Sequence, residues 1–156
     1  MPEPQNTTPT TDLGRAAPGR AVLLVHTRQG PRADAHIDWL IERDAPADPA
    51  APEHTLRTFR VVHRIDRGPH APFLARPIPD HRRRYLTYEG ELSEGRGRVD
   101  RLVAGVLLHH DEASLTIRWA ASLAEASTVR YTLAPRPDGT VLITPTAMGN
   151  ARATDS

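Results

Sequence analysis

The chain of 156 residues contains no cysteine and no lysine, and only 4% of its residues are aromatic. The absence of cysteine excludes disulfide bonds and thiolate metal sites. All 20 basic residues are arginine, so every permanent cation is a planar fork that suits phosphate or carboxylate groups. The scarcity of aromatic residues argues against a stacking surface for single-stranded nucleic acid.

Long hydrophobic runs and a strong charge of either sign are also missing. The longest apolar run, LVAGVLL at 102–108, is far too short to span a bilayer, and the first twenty residues contain no apolar signal region. A cytoplasmic protein without a membrane partner is predicted. The net charge is only +1, so contact with a nucleic acid would be local rather than driven by a long-range field.

The composition divides the chain into a folded domain and two tails. Residues 1–18 are rich in proline and threonine and lack periodicity, which predicts a disordered tail. The same argument predicts a disordered tail at 147–156. One domain at 19–146 remains, which is long enough to bury a core.

Within this domain the apolar pattern is short and mostly alternating, which indicates strands. Pro137-Asp138-Gly139 marks the tip of a hairpin. The fold class predicted is all-β: a compact β-barrel of about seven or eight short strands. A helical turn is predicted at 121–127, and the proline-rich segment 66–80 is predicted to be a connection without a long regular element. The predicted strands lie at 20–27, 35–43, 54–62, 83–92, 99–110 and 114–121, with the hairpin at 129–145.

Two of these strands place candidate metal ligands on one face. In AHIDWLIER (35–43), His36 and Asp38 lie two residues apart, so both point away from the face that carries Trp39. If the preceding strand pairs with this one, His26 approaches the pair. Two imidazoles and one carboxylate suit Mn²⁺ or Zn²⁺, and we expect them at the mouth of the barrel. The alternative is that the pair simply faces water.

A second group of polar residues lies in PDHRRRYLTYEGELSEGRGRV (79–99). His81 and Tyr85 are four residues apart, which gives one face in an extended segment. An imidazole can protonate a leaving oxygen, and a phenol can donate a hydrogen bond to a phosphate oxygen. The run HRRR is otherwise typical of a solvated charged surface.

Three blocks, VHT…HIDWLIE, LRTFRVVH and DHRRRYLTYEGELSEGRGRV, resemble in order those of the 3′-phosphoesterase domain of bacterial DNA ligase D. The resemblance spans roughly residues 20–108. It implies a compact β-barrel that uses Mn²⁺, with Zn²⁺ or another divalent metal as alternatives, to remove 3′-phosphates or ribonucleotides from DNA ends. The implied partners are DNA 3′ ends and repair ligase or polymerase proteins.

The resemblance also implies roles for individual residues. The metal ligands correspond to His26, His36 and Asp38. The catalytic histidine and tyrosine that contact the phosphate correspond to His81 and Tyr85, and a phosphate-binding lysine corresponds to His63.

The chain departs from the family pattern at a position next to the metal ligands. The family has an arginine two residues after the metal-binding aspartate, where this chain has Leu40. Arg76 and Arg82 are the candidates to bind the phosphate in its place. The expected function is therefore phosphoesterase activity on DNA 3′ ends in repair. The alternatives are a non-catalytic module that binds metal or DNA ends, and a phosphohydrolase for small molecules.

Overall fold

The computed structural model describes residues 19–31, 33–42, 54–120 and 127–148. In these ranges the chain forms nine strands and two short 3₁₀ helices, and none of its helices is long and apolar enough to cross a membrane. The helices are Arg83–Leu86 and Ser93–Gly95. The strands are β1 (Gly19–Arg28), β2 (Asp34–Glu42), β3 (His54–Val61), β4 (Phe73–Arg82), β5 (Gly90–Glu91), β6 (Arg98–His110), β7 (Ser114–Trp119), β8 (Ser127–Pro135) and β9 (Val141–Met148).

The strands close into a barrel. Neighbouring strands are antiparallel and follow the order β1-β2-β3-β4-β9-β8-β7-β6, and β6 pairs back with β1. The two-residue strand β5 is an addition that pairs with the start of β6. The predicted all-β barrel of seven or eight strands is confirmed, since eight strands form the ring. Closure gives each of these eight strands a hydrogen-bonded neighbour on both sides, so no strand of the ring lies at a free edge along its whole length.

The barrel interior contains the main hydrophobic core. On β2, Ile37, Trp39 and Ile41 point inward and alternate with His36, Asp38 and Leu40 on the outside. Trp39 and Ile41 are fully buried. The other large side chains of this core come from every part of the ring; they include Leu23, Phe59, Leu107, Leu115, Ile117, Trp119, Val129, Tyr131 and Ile143.

A second, smaller core lies outside the barrel wall. The segment 83–92 crosses the outer face of β1, β2 and β3 and covers part of it. Strands buried on both faces need apolar residues on both, which explains the continuous run AVLLV at 21–25 in β1. The residues of this outer core are Val22, Leu24, Leu40, Leu56, Leu86 and Val99, with Tyr85, Tyr88 and Leu92 packed against them.

The predicted strand at 83–92 is wrong. The chain instead makes the 3₁₀ helix Arg83–Leu86, a turn, and only the two-residue strand β5. Tyr85 lies in this 3₁₀ helix and Tyr88 follows it, and both pack on the outer core. Contact with the outer core therefore outweighed the weak alternation of the sequence.

The prediction for 66–80 is also wrong in its second half. Strand β4 runs for ten residues, Phe73–Arg82, through Pro77 and Pro79. It pairs with β9 only from Phe73 to Ala75, while its later residues pair with β3 alone. The proline-containing half of β4 is therefore an edge, where a missing N–H group leaves no ladder partner unsatisfied.

The β8–β9 hairpin is confirmed. Gly139 at its tip has a φ of 93°, and the Asp138 carboxylate accepts a hydrogen bond from the backbone N–H of Thr140 at 2.9 Å. β9 continues to Met148, beyond the predicted domain end at 146. The predicted tails lie outside the described residues, apart from Ala147 and Met148. The helical turn predicted at 121–127 also lies outside them, except for Ser127, which begins β8.

Candidate metal centre

The first two strands bring three candidate ligands together. His26 on β1 and His36 on β2 are direct partners across the antiparallel pair, and Asp38 lies two residues further along β2. Their ligand atoms all lie within 4.8 Å of one another, and the two imidazole rings meet edge to face with centroids 4.8 Å apart. The cluster lies on the outer side of the barrel wall, because Trp39 and Ile41 occupy the inner side. The expected position at the barrel mouth is therefore wrong, although the three residues converge.

The two histidines present nitrogen lone pairs to this cluster. The Nε2–H of His26 donates to the backbone carbonyl of Arg96 at 2.8 Å, which leaves Nδ1 as the lone-pair nitrogen. Metal-binding histidines are commonly held in this way through their second nitrogen. Both ring nitrogens of His36 are buried without a hydrogen-bond partner among the described residues. A buried polar atom without a partner is costly, so His36 fits a position that a divalent cation would complete.

Burial keeps His36 neutral. Desolvation lowers the pKa of His36 below its usual value, and the charge of Arg60 acts in the same direction, while Asp38 only partly opposes the shift. A neutral imidazole is the form that binds a metal ion. Two imidazoles and one carboxylate match the preferences of Zn²⁺ and Mn²⁺.

Asp38 is the charged centre of the group. Its carboxylate is almost completely buried, which by itself would raise its pKa, but His81, His36 and Arg60 favour the ionised form and lower the pKa overall. Oδ2 lies 3.6 Å from Nε2 of His36 and 3.7 Å from Nε2 of His81. Oδ1 lies 3.4 Å from Nε of Arg60. The carboxylate is therefore negative and in contact with three nitrogen-bearing side chains.

His81 and Tyr85 are also close together, although not by the expected route. His81 belongs to β4 and Tyr85 to the 3₁₀ helix that follows it, so the turn between the two elements, and not strand alternation, brings their ring centroids to 5.8 Å. The Nδ1–H of His81 donates to the carbonyl of Pro79 at 3.1 Å. No hydrogen bond of the Tyr85 hydroxyl to the described residues is present.

His81 is poised to hold a proton. Burial lowers the pKa of His81, but the interactions with the Asp38 carboxylate and the Pro79 carbonyl raise it more, and the result lies above the usual value. His81 and His36 thus flank the same carboxylate oxygen and are shifted in opposite directions. One favours the protonated form and the other the neutral form.

His26, Asp38, His81 and Tyr85 open onto a cavity of about 290 Å³. This volume lies at the lower end of the range for ligand pockets, which suits a terminal phosphate and part of the attached sugar. Of the three predicted phosphate-binding residues, only Arg82 lines it. The lining residues are Leu24, His26, Asp38, Asp80, His81, Arg82, Tyr85, Leu92, Arg96 and Val99.

The structure does not bring His63 to the cavity. His63 follows the end of β3, and its exposed ring packs edge to face on Phe73 of the main core, with centroids 5.1 Å apart. Arg76 is exposed on β4 and is the direct cross-strand partner of Arg60. It therefore points to the same outer face as Arg60.

Sequence reasoning missed Arg60. It is the direct cross-strand partner of Asp38, and its guanidinium is the nearest permanent cation to that carboxylate. The alternation of β3 already placed Arg60 on one face with Leu56 and Thr58. Only the register between β2 and β3 shows that this face is the one that carries Asp38.

A second missed residue, Glu42, anchors the segment that covers the site. Its side chain is almost fully buried, and Nε of Arg83 donates to its Oε2 at 2.9 Å. Nε of Arg20 lies 3.5 Å from Oε1. The HRRR run is therefore not only a solvated surface, since Arg83 ties the 3₁₀ helix, and with it Tyr85, to the end of β2.

Comparisons with known protein families and with curated proteins find no match for this chain.

Proposed function

We propose that this protein is a metal-dependent phosphoesterase that acts on 3′-phosphorylated or ribonucleotide ends of DNA in repair. The observation that carries the proposal is the convergence of His26, His36 and Asp38, two of which, His26 and Asp38, line a cavity together with His81 and Tyr85. The resemblance to the ligase D phosphoesterase blocks rests on the same five residues. Mn²⁺ is the proposed metal, with Zn²⁺ as the alternative.

Each residue has a role that follows from its geometry. His26, His36 and Asp38 would hold the metal, which when bound supplies Lewis-acid polarisation of the phosphoryl group and a nucleophilic water at neutral pH. His81, with its raised pKa, holds a proton near Asp38 and can donate it to a leaving or non-bridging oxygen. The Tyr85 hydroxyl can donate a hydrogen bond to a phosphate oxygen.

The first experiment measures release of phosphate from a primer–template that carries a 3′-phosphate, with Mn²⁺ present. The wild-type protein is expected to produce inorganic phosphate and a 3′-hydroxyl end. D38N should reduce the rate by more than about a hundredfold, because the loss of even an outer partner of a metal ligand costs about 10–100-fold. E112Q, an exposed position in the turn between β6 and β7, is the matched control and should retain the wild-type rate.

Y85F separates the phosphate contact from metal binding. It should lower the rate by about tenfold through the loss of one hydrogen bond and leave Mn²⁺ affinity, measured by isothermal titration calorimetry, unchanged. Failure of the wild-type protein to release phosphate with Mn²⁺ or Zn²⁺ between pH 6 and pH 9 would contradict the proposed activity.

A non-catalytic module of the same fold is the second candidate, and the specific observation that favours it is Leu40. This side chain is fully buried in the outer core, so the position that is arginine in the family cannot supply a charge to the cavity. This candidate predicts that the protein binds Mn²⁺ and 3′-phosphorylated ends without turnover. A panel of nucleotides and sugar phosphates in the same assay tests the third alternative, a small-molecule phosphohydrolase.

A further inference from the structure

Two arginines lie side by side on the outer face next to Asp38. In the register of the sheet, Asp38 on β2 is paired with Arg60 on β3, and Arg60 is paired with Arg76 on β4. Directly paired residues point to the same face, with Cβ atoms about 5 Å apart. A carboxylate and two guanidinium side chains therefore form one row across three neighbouring strands.

The single carboxylate of Asp38 does not balance the positive charge of the two arginines. Its Oδ1 contacts only Nε of Arg60, and Arg76 has no ion pair with any residue that the structure describes. Like charges that directly face each other across strands are destabilising. A pair of neighbouring guanidinium groups beside a single carboxylate leaves an excess of positive charge, which an anionic ligand would offset.

The two side chains are also accessible. The Arg60 side chain is 42% exposed although its Nε contacts the buried carboxylate, and Arg76 is exposed. A guanidinium has five N–H donors, so the Nε contact of Arg60 leaves its terminal nitrogens available. Arg60 can thus contact Asp38 and an oxyanion at the same time.

We propose that Arg60 and Arg76 form a binding site for a terminal phosphate monoester beside Asp38, in place of the arginine that the family carries at the position of Leu40. This inference rests on the proposed function, since the arginines do not line the cavity themselves but adjoin it through Asp38, which lines the cavity and contacts Arg60. A phosphate monoester carries a charge of about −1.5 to −2 near neutral pH, whereas an internal phosphodiester carries one negative charge. Two forked cations therefore favour a phosphorylated end over an internal linkage or a 3′-hydroxyl end.

The test compares two fluorescent oligonucleotides of one sequence, one ending in a 3′-phosphate and the other in a 3′-hydroxyl. Fluorescence anisotropy with the full chain gives the affinity for each, once in EDTA and once with Mn²⁺, and a gel verifies that the phosphate is still attached. The measured quantity is the ratio of the two affinities. A purely structural role of an arginine would weaken both ligands alike and leave this ratio unchanged.

R60Q and R76Q should each lower the ratio by at least about tenfold, because each removes hydrogen bonds between charged groups. R60K should retain part of the preference, as a point charge without the fork geometry. R130Q is the control: Arg130 is exposed on β8, across the ring from β2, and the substitution should not change the ratio. Circular dichroism of each variant verifies that the barrel is folded.

The outcomes distinguish this inference from the proposed activity. If the wild-type protein releases phosphate but folded R60Q and R76Q keep the wild-type ratio, the arginine site is wrong and the activity stands. If both variants lose the preference but the wild-type protein releases no phosphate, the site stands and the esterase activity is wrong. A wild-type protein that shows no preference for the phosphorylated end in either condition overturns the site.

Discussion

The inner and outer faces of strand β2 are buried by different parts of the chain. On the inner face Trp39 and Ile41 are buried by closure of the barrel itself. On the outer face Leu40 and Glu42 are buried by the segment 83–92, whereas His36 and Asp38 lie next to the cavity at the border of that segment. The same strand therefore contributes to a core on one side and to a core and a polar site on the other.

This difference shows how the site is built without weakening the barrel. The inner face depends on apolar contacts around the whole ring, so its substitutions should act on stability. The border of the outer face holds charged groups that contact one another, so its substitutions should act on ligand binding. Four predictions test this separation, starting with the largest effect.

W39A should lower the free energy of unfolding by about 4 kcal/mol, because it leaves a large cavity in the main core. Urea denaturation followed by circular dichroism measures the change. The matched control is W39F, which keeps most of the apolar volume and removes an indole N–H that has no hydrogen-bond partner among the described residues. It should cost less than about 1.5 kcal/mol. If W39A and W39F lowered the free energy of unfolding equally, the apolar volume of the side chain at this position would not be what stabilises the main core.

L40R should lower the free energy of unfolding by about 3 kcal/mol, since it places an unpaired cation in the outer core, where Leu40 is fully buried. It should not increase phosphate release, because Leu40 belongs to the buried outer core with Leu24 and Leu56 and does not line the cavity. L40M, with similar volume and no charge, is the control. A stable L40R protein with higher activity would show that the outer face accepts the family arginine after all.

R83M should lower the free energy of unfolding by about 2 kcal/mol, because it removes the partner of Oε2 of the buried Glu42 and leaves the carboxylate with only the contacts of Oε1 to the backbone N–H and Nε of Arg20. It should also slow phosphate release, since Arg83 ties the helix that carries Tyr85 to β2. R118M, which replaces an exposed arginine on β7, serves as the comparison. If R83M changed neither stability nor rate, the segment 83–92 would be held by apolar contacts alone.

The smallest effect is a divergence of two histidine titrations in the metal-free protein. We expect NMR titration in EDTA to give His81 a pKa above 6.5 and His36 a pKa below 6.5, the usual value. His81 therefore stabilises the fold below pH 6.5 and loses this contribution as the pH rises through its folded pKa. His36 acts in the opposite sense, because its contribution is complete above pH 6.5 and falls as the pH drops toward its folded pKa.

D38N provides the control for that titration. It removes the negative charge that favours protonated His81, so the pKa of His81 should fall, while burial should continue to hold the pKa of His36 low. A His81 pKa that does not change in D38N would show that the contact between its Nε2 and the carboxylate is not formed in solution.

Strand alternation predicted the candidate ligands well. His36 and Asp38 share a face opposite Trp39 because the side chains of a strand alternate whatever its partners are, and the structure has this arrangement. Pairing of β1 with β2 brings His26 close to them, as expected of consecutive antiparallel strands, and the observed register places it directly across from His36. These relations are local or between consecutive strands, which is why the sequence was sufficient for them.

Alternation failed where contacts distant in sequence dominate. The segment 83–92 looks like a strand, but it packs on the outer core through Tyr85, Leu86 and Tyr88 and becomes a 3₁₀ helix and a turn. Its position over β2 also places the cavity on the outside of the wall and not at the barrel mouth. No local pattern shows which surface a covering segment will meet.

The sequence by itself determined the all-β class, the two faces of β2 and the pair of histidines beside Asp38, because these follow from side-chain alternation and from turns between neighbouring strands. Only the tertiary structure decided that Arg60 and Arg76 lie in a row with Asp38, that Leu40 is buried, and that Glu42 anchors the covering segment. These facts depend on register and on contacts between residues separated by 16 or more positions. Such contacts are set by the closure of the barrel and not by the residues next to them in the chain.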